Sequence, residues 1–430
     1  MRGLIAAAMA ATMLPAAASA SEIGDQLAQH LYDGTLAETT EASFALCNDE
    51  GTADACFAAG LIDLIGAVEG LSQALYRHGA TTPGTPAAAM LLGMGIEDTP
   101  VPANPNPEPL SYDQLRTILG DFVQKMDYAR MSFEIAGNAD AFAITVDPLR
   151  VRIDLDGDGT ATEGETLGSL LASVGEFADI PAPDGPPAGG KTKTRDEAPA
   201  AADSSIGFDN ADAIWFAGYT QIVVAPVDLL LAHDFSEFFA AYLHRVFPEA
   251  GLPMQDYSRG GTLFMDPDSD ASIADIIAAI HTLDFPVTDA ERMAGILARL
   301  QKITALSRRN WELILAETDD SRELVPSPSQ TSLVPDRPVT QETVDAWLAT
   351  LDSIDRILAG ELLLPHWRFK QGFDLKAYFE TATETDLVML FTGLGALPYL
   401  KDGPIADADA FADANRVFGD NWPYFALWFN

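Results

Sequence analysis

Residues 55–78 read ACFAAGLIDLIGAVEGLSQALYRH. Phe57, Leu61, Leu64, Ile65, Val68, Leu71 and Leu75 recur at three- and four-residue spacing, so a helix would gather them on one apolar face. Gly79 then stops it. The same period returns along most of the chain. Ser111 is placed to N-cap a helix carrying Leu115, Ile118, Leu119, Phe122, Met126 and Met131. Asp209 opens a long apolar helix to about Phe247, bent at Pro226. Further helices are expected near 271–283, 288–317, 340–360, 373–392 and 407–418, with a helical island over Ala87–Leu92. The fold class is therefore mainly α, a multi-helix body.

One region departs from that period. Phe133–Ile135 and Phe142–Val146 alternate apolar and polar residues, with Gly137-Asn138 between them, and Leu149, Val151 and Ile153 alternate again. These spacings predict a small antiparallel β-ribbon of two or three strands. The ribbon leads into an acidic loop at Asp154, and a helix from about Glu163 to Phe177 leaves it.

That loop is Asp154-Leu-Asp156-Gly-Asp158-Gly159-Thr160-Ala-Thr162-Glu-Gly-Glu165. A hard cation takes six to eight oxygens at about 2.3–2.6 Å, and acids at loop positions 1, 3 and 5 converge when the chain coils around it. Gly159 supplies the turn, Thr160 a carbonyl, Thr162 a hydroxyl or water, and Glu165 two closing oxygens. Thr162-x-x-Glu165 is also a capping box for the exit helix. These twelve residues resemble an EF-hand calcium-binding loop, which implies Ca2+ held by Asp154, Asp156, Asp158, Thr160, Thr162 and Glu165. Upstream, Arg150–Ile153 reads as a strand rather than an entering helix. Asp266-Pro-Asp268-Ser-Asp270 begins like a second loop, but Ala271 and Ile277 replace the turn glycine and the closing acid. An unpaired strand-loop-helix site is similar to the fixed calcium loops of extracytoplasmic proteins such as dockerins, so a structural site is expected, with affinity on the order of 10⁻⁶–10⁻³ M.

Composition sets the surroundings. The net charge of −39 argues against nucleic acid and against an anionic membrane surface as partners. Residues 1–20 read as a signal peptide: Arg2, the apolar run Leu4–Leu14, then Ala18-Ser19-Ala20 before a cleavage point. No stable membrane span is expected after its removal, and a periplasmic or secreted location follows. Cys47 and Cys56, the only cysteines, should pair there as a disulfide. The Pro/Gly/Ala/Asp-rich stretch 178–207 is expected to be a disordered linker between parts 21–177 and 208–430, unless it is an insertion in one domain. Pro326–Pro338 reads as an exposed connection. The tail 421–430 is expected to pack back on the core, a terminal barrel strand being the alternative.

Other motifs carry less chemistry. Gly185–Thr192 matches the P-loop spelling, but no apolar strand precedes it. His233, Glu237 and His244 would share one face of a helix, a conceivable metal site, with Asp234 beside them as a base. The six tryptophans read as core packing, with a stacking platform as the alternative. The reading favours a non-enzymatic, calcium-stabilised binding or scaffold protein for an unknown ligand or protein partner. Its rival is a periplasmic or secreted hydrolase using His233, Asp234 and Glu237.

Overall fold

The computed structural model describes residues 22–35, 45, 47–48, 51–81, 101–169, 204–256, 259–333, 338–419 and 422–429. The signal segment 1–20, the island Ala87–Leu92, the P-loop look-alike and the linker up to residue 203 lie outside them.

A short helix α1 (Glu22–Asp33) precedes α2 (Ala53–Arg77), which covers the apolar period of residues 55–78. Cys47 and Cys56 form a disulfide at the start of α2. Next, α3 (Tyr112–Asn138) begins at Ser111, whose hydroxyl accepts the Gln114 amide while the Gln114 side chain accepts the Ser111 amide. The expected strand over Phe133–Ile135 is instead the last turns of α3. Gly137 is no turn residue: a Cβ there would stand 2.5 Å from Ile214, so it permits close helix approach.

The ribbon therefore pairs differently from expectation. β1 (Ile144–Val146) runs antiparallel to β2 (Ile206–Phe208), so the end of the supposed linker is a strand. Leu149 lies in a 3-10 turn, Pro148–Arg150, and Arg152 makes a single bridge to Thr166. Glu163–Glu165 is a 3-10 turn rather than the first turn of an α-helix, and helical residues resume at Leu167.

The long helix expected from Asp209 to Phe247 is broken. Asp209 N-caps α4 (Asn210–Leu231), then α5 (Ser236–Tyr242) follows after a turn. Arg116 enforces the break by donating to the Leu231 and His233 carbonyls at 2.8 and 2.7 Å. The Asp234 amide donates to Pro286. Thereafter come α6 (Pro253–Asp256), α7 (Pro267–His281), β3 (Asp284–Pro286), α8 (Ala290–Ile314) and α9 (Gln341–Leu358). The helix expected over 373–392 is split. β4 (Gly372–Phe373) and α10 (Leu375–Thr381) lead into β5 (Glu384–Asp386), which pairs with β3, and α11 (Leu387–Thr392) follows. β6 (Leu400–Lys401) pairs with β4, and α12 (Ala412–Phe418) and α13 (Trp422–Phe429) close the chain. The tail is thus a helix, and it packs back as expected: Phe429 is fully buried against Trp311 and Trp347. The 326–338 connection starts inside the protein, since Val325 and Ser327 are buried.

Helices α2, α3, α4 and α8 pack in that order as the central layer. Phe57, Phe133, Phe142, Phe208 and Phe216 meet at its heart, with Phe57 centroids 5.1–6.0 Å from the other four. Gly60 lets α2 approach α3, for a Cβ there would lie 2.6 Å from the Phe133 ring. Arg299 of α8 bridges Asp127 of α3 and Asp228 of α4 at 2.9 and 2.7 Å, which fixes the register of three helices. α2 and α4 are each long and apolar enough to cross a membrane, and both lie in this core.

Candidate metal centre

The loop 154–165 is sewn to the rest of the fold on two sides. On one side the Arg152 amide donates to Leu31 of α1 at 2.9 Å, the Ile153 amide to Glu165 at 3.0 Å, and the Leu167 amide to Val151 at 2.8 Å. On the other side α2 reaches in. Glu69 accepts the Asp154 amide at 3.0 Å, and Gln73 donates to the Asp154 carbonyl at 2.8 Å.

Between these anchors the chain coils through its own aspartates. Asp154 accepts the Gly157 and Gly159 amides at 2.7 and 3.1 Å. Asp156 accepts the Asp158 amide, and Asp158 the Thr160 amide. Gly157 and Gly159 have φ of +76° and +84°, a conformation that side chains resist. The result gathers three of the expected ligands: one oxygen from each of Asp154, Asp156 and Asp158 lies within 4.8 Å of the other two.

The other expected ligands stand differently. Glu165 is buried, and its carboxylate accepts the Leu155 amide at 2.9 Å and the Thr162 amide and hydroxyl at 2.8 Å each. It thereby closes the capping box anticipated for Thr162 and does not join the three aspartates. Thr160 has its amide on Asp158.

Like charge accumulates here. None of the three aspartates is salt-bridged among the described residues. Burial pushes the Asp156 carboxyl up, and Asp158, Glu165 and Asp154 add to the push against one opposing amide bond. Burial also raises Glu69, with Asp154 and Glu165 adding to it, against the Asp154 amide and Lys125. A divalent cation relieves this kind of crowding. The donor set of hard carboxylate oxygens on a glycine-turned loop fits calcium.

A second acidic group had no signal in the sequence. One oxygen from each of Asp209, Glu317 and Glu323 lies within 4.8 Å of the others. Asp209 spends its carboxylate on the Ala211 and Asp212 amides at the start of α4. Glu317 accepts the Gln330 amide group at 2.9 Å, and Glu323 the Ser321 amide at 3.0 Å. Asp212, buried beside them, accepts the Asp209 amide. Burial, then the neighbouring Asp209, pushes Glu317 up to about 8 and Glu323 to about 7. Asp212 is driven well above the usual carboxylate range, by burial first and by Asp209 next. More than a hundred residues separate Asp209 from Glu317, so only the packing of α8 on α4 brings them together.

The His233 set does not converge. His233 is buried, with Nδ1 2.6 Å from the Leu229 carbonyl and Nε2 2.7 Å from the Thr385 hydroxyl. Burial lowers its pKa, which suits a neutral structural imidazole. Asp234 accepts the Tyr112 hydroxyl and the Ser236 amide just before α5. Glu237 points outward from α5, and His244 pairs with Asp275 at 3.0 Å. The broken helix is the reason these residues share no face. The Asp266–Asp270 segment is likewise a cap: Asp266 accepts the Asp268 and Ser269 amides at the start of α7. Most tryptophans serve the core, Trp311 and Trp347 being fully enclosed, but Trp367 is 70% exposed.

No protein-family model, no curated protein and no solved structure matches this chain, so its site is read from its own chemistry.

Proposed function

We propose that this is an exported calcium-binding protein in which Ca2+ at the Asp154 loop braces the fold, and that its role is binding or scaffolding rather than catalysis. The observation that carries this reading is the convergence of the Asp154, Asp156 and Asp158 oxygens within 4.8 Å on a loop turned by two positive-φ glycines. The loop joins α1 and α2 through hydrogen bonds, so an ion there acts on the packing of the N-terminal helices. The Glu165 oxygen that accepts the Leu155 amide keeps a second lone pair, so Glu165 retains acceptor capacity beside its hydrogen bonds.

The Cys47–Cys56 disulfide fits an oxidising compartment, and the first twenty residues fit export. The scattering of His233, Asp234 and Glu237 supports the non-enzymatic reading over the hydrolase. No nucleic-acid partner is proposed, given the acidity of the chain. The decisive test is isothermal titration of the chelator-treated protein with calcium, beside Asp154→Ala. Saturable binding by the parent that the variant loses supports the site. Equal heats from both proteins would refute it.

A further inference from the structure

Large apolar side chains stand exposed on α3 at Tyr128, Met131 and Ile135, singly at a few other positions, and in two further clusters. The first is the run before α7 and the helix itself. Leu263 and Phe264 are 75% and 86% exposed, and Ile273, Ile277 and Ile280 line the outer face of α7 at four- and three-residue spacing. This display is held in place, because the Asp270 carboxylate accepts the amides of Leu263, Phe264 and Met265. Its rim is acidic. Asp266 and Asp268 are exposed there and Asp270 is half-buried, whereas Asp275 is buried and paired with Arg245 and His244, and Arg259 lies just before the run.

The second face has the opposite rim. Trp367, Phe391 and Leu394 are 67–71% exposed, with Leu397 beside them. It too is built: Trp367 Nε1 donates to the Phe391 carbonyl at 2.8 Å, and Arg368 donates to the Thr392 carbonyl at 2.7 Å. The stretches that form it, 363–373 and 387–401, contain no Asp or Glu in a chain with 64 of them. They carry Arg368, Lys370 and Lys401. Lys401 is paired with Asp374, whereas Arg368 and Lys370 have no acidic partner among the described residues.

The two faces belong to neighbouring elements. α7 ends just before β3, β3 pairs with β5, and the Leu387 amide at the start of α11 donates to the Leu283 carbonyl. Exposed apolar patches of this kind mark association surfaces, and complementary rims choose the partner. We propose that the Trp367–Phe391 face docks on the α7 face of a second copy of this chain, forming a two-fold dimer. The two-fold arrangement makes the basic-on-acidic contact twice and covers both apolar faces at once. An anionic lipid surface fits less well, since it would leave the acidic α7 face uncovered. A second copy supplies both the apolar area and the acidic rim.

Sedimentation velocity of the purified protein over a hundredfold concentration range tests this. The expected result is a dimer that dissociates on dilution and weakens as salt is raised. Phe391→Asp and Ile277→Asp should each give a monomer with an unchanged helical spectrum, both sites being exposed. Lys370→Glu and Asp268→Lys should each weaken association about tenfold, and their combination should restore most of it. A monomer at every concentration would overturn the proposal, as would a dimer indifferent to Phe391→Asp and Ile277→Asp. A monomer that floats with phosphatidylglycerol vesicles, and stops doing so in Phe391→Asp, would also overturn it and assign the second face to lipid.

Discussion

The two carboxylate clusters manage crowded acids by opposite means. At the Asp154 loop the acids alternate along five residues, are partly exposed, and are wrapped by backbone amides. At Asp209, Glu317 and Glu323 they come from distant segments and are more deeply enclosed, with Asp212 behind them. The first arrangement suits a cation, because its oxygens converge on a turn that costs little to desolvate. The second suits a proton, because burial has lifted Glu317 and Glu323 into the neutral range. A count of acidic residues would treat the two alike. Their solvent access and their backbone partners separate them.

The largest effect should come from calcium. At a hundredfold excess over Kd, a native-state ligand adds about 2.7 kcal/mol, or roughly 3–5 °C in Tm for a chain of this size. Asp154→Ala should remove that shift, whereas Glu317→Gln should keep it. If Glu317→Gln also removed the calcium response, the contrast between the clusters would fail.

The next effect is pH. The folded-state pKa values of Glu317 and Glu323 lie above the ordinary 4.5, so their stabilising contribution is complete below about pH 4.5 and is lost as pH rises through 7 and 8. Thermal unfolding in chelator should therefore show stability from this cluster declining between pH 5 and pH 9. Glu317→Gln should flatten the decline and stabilise the protein at pH 8.5 by on the order of 2 kcal/mol. A variant as pH-sensitive as the parent would show that the cluster does not hold a proton.

A smaller effect probes the turn. At Gly159, φ is +84° and a Cβ would meet nothing within 4 Å, so Gly159→Ala adds backbone strain and no clash. It should cost about 1 kcal/mol. An equal cost from alanine at Gly120, which lies inside α3 with open space around it, would mean that the loop conformation is not what matters.

The contrast also explains what could be read in advance. The loop and its three aspartates were legible because all three acids fall within five residues and their alternate spacing has a geometric reason. The core helices were legible where one apolar face ran uninterrupted, as in α2. Alternation over three residues, as in Phe133–Ile135, fits either period, and Gly137 serves close packing against Ile214 rather than a turn. The break after Leu231 depends on Arg116, more than a hundred residues upstream. The split of 373–392 depends on β3, nearly a hundred residues away. The second cluster is of the same kind: nothing local marks Glu317 or Glu323, and Asp209 reads locally as a helix cap.

The hydrogen bonds that sew the loop into place also fix an order of events. Leu31, Glu69 and Gln73 each hold a partner in residues 152–154, and Ile153 holds Glu165. A chain emerging from its N-terminus cannot fasten α1 to α2 through this seam until residue 154 has appeared. α2 can already lie on α3 by then, but the link from α1 waits for the loop, and whatever speeds closure of the loop shortens that wait.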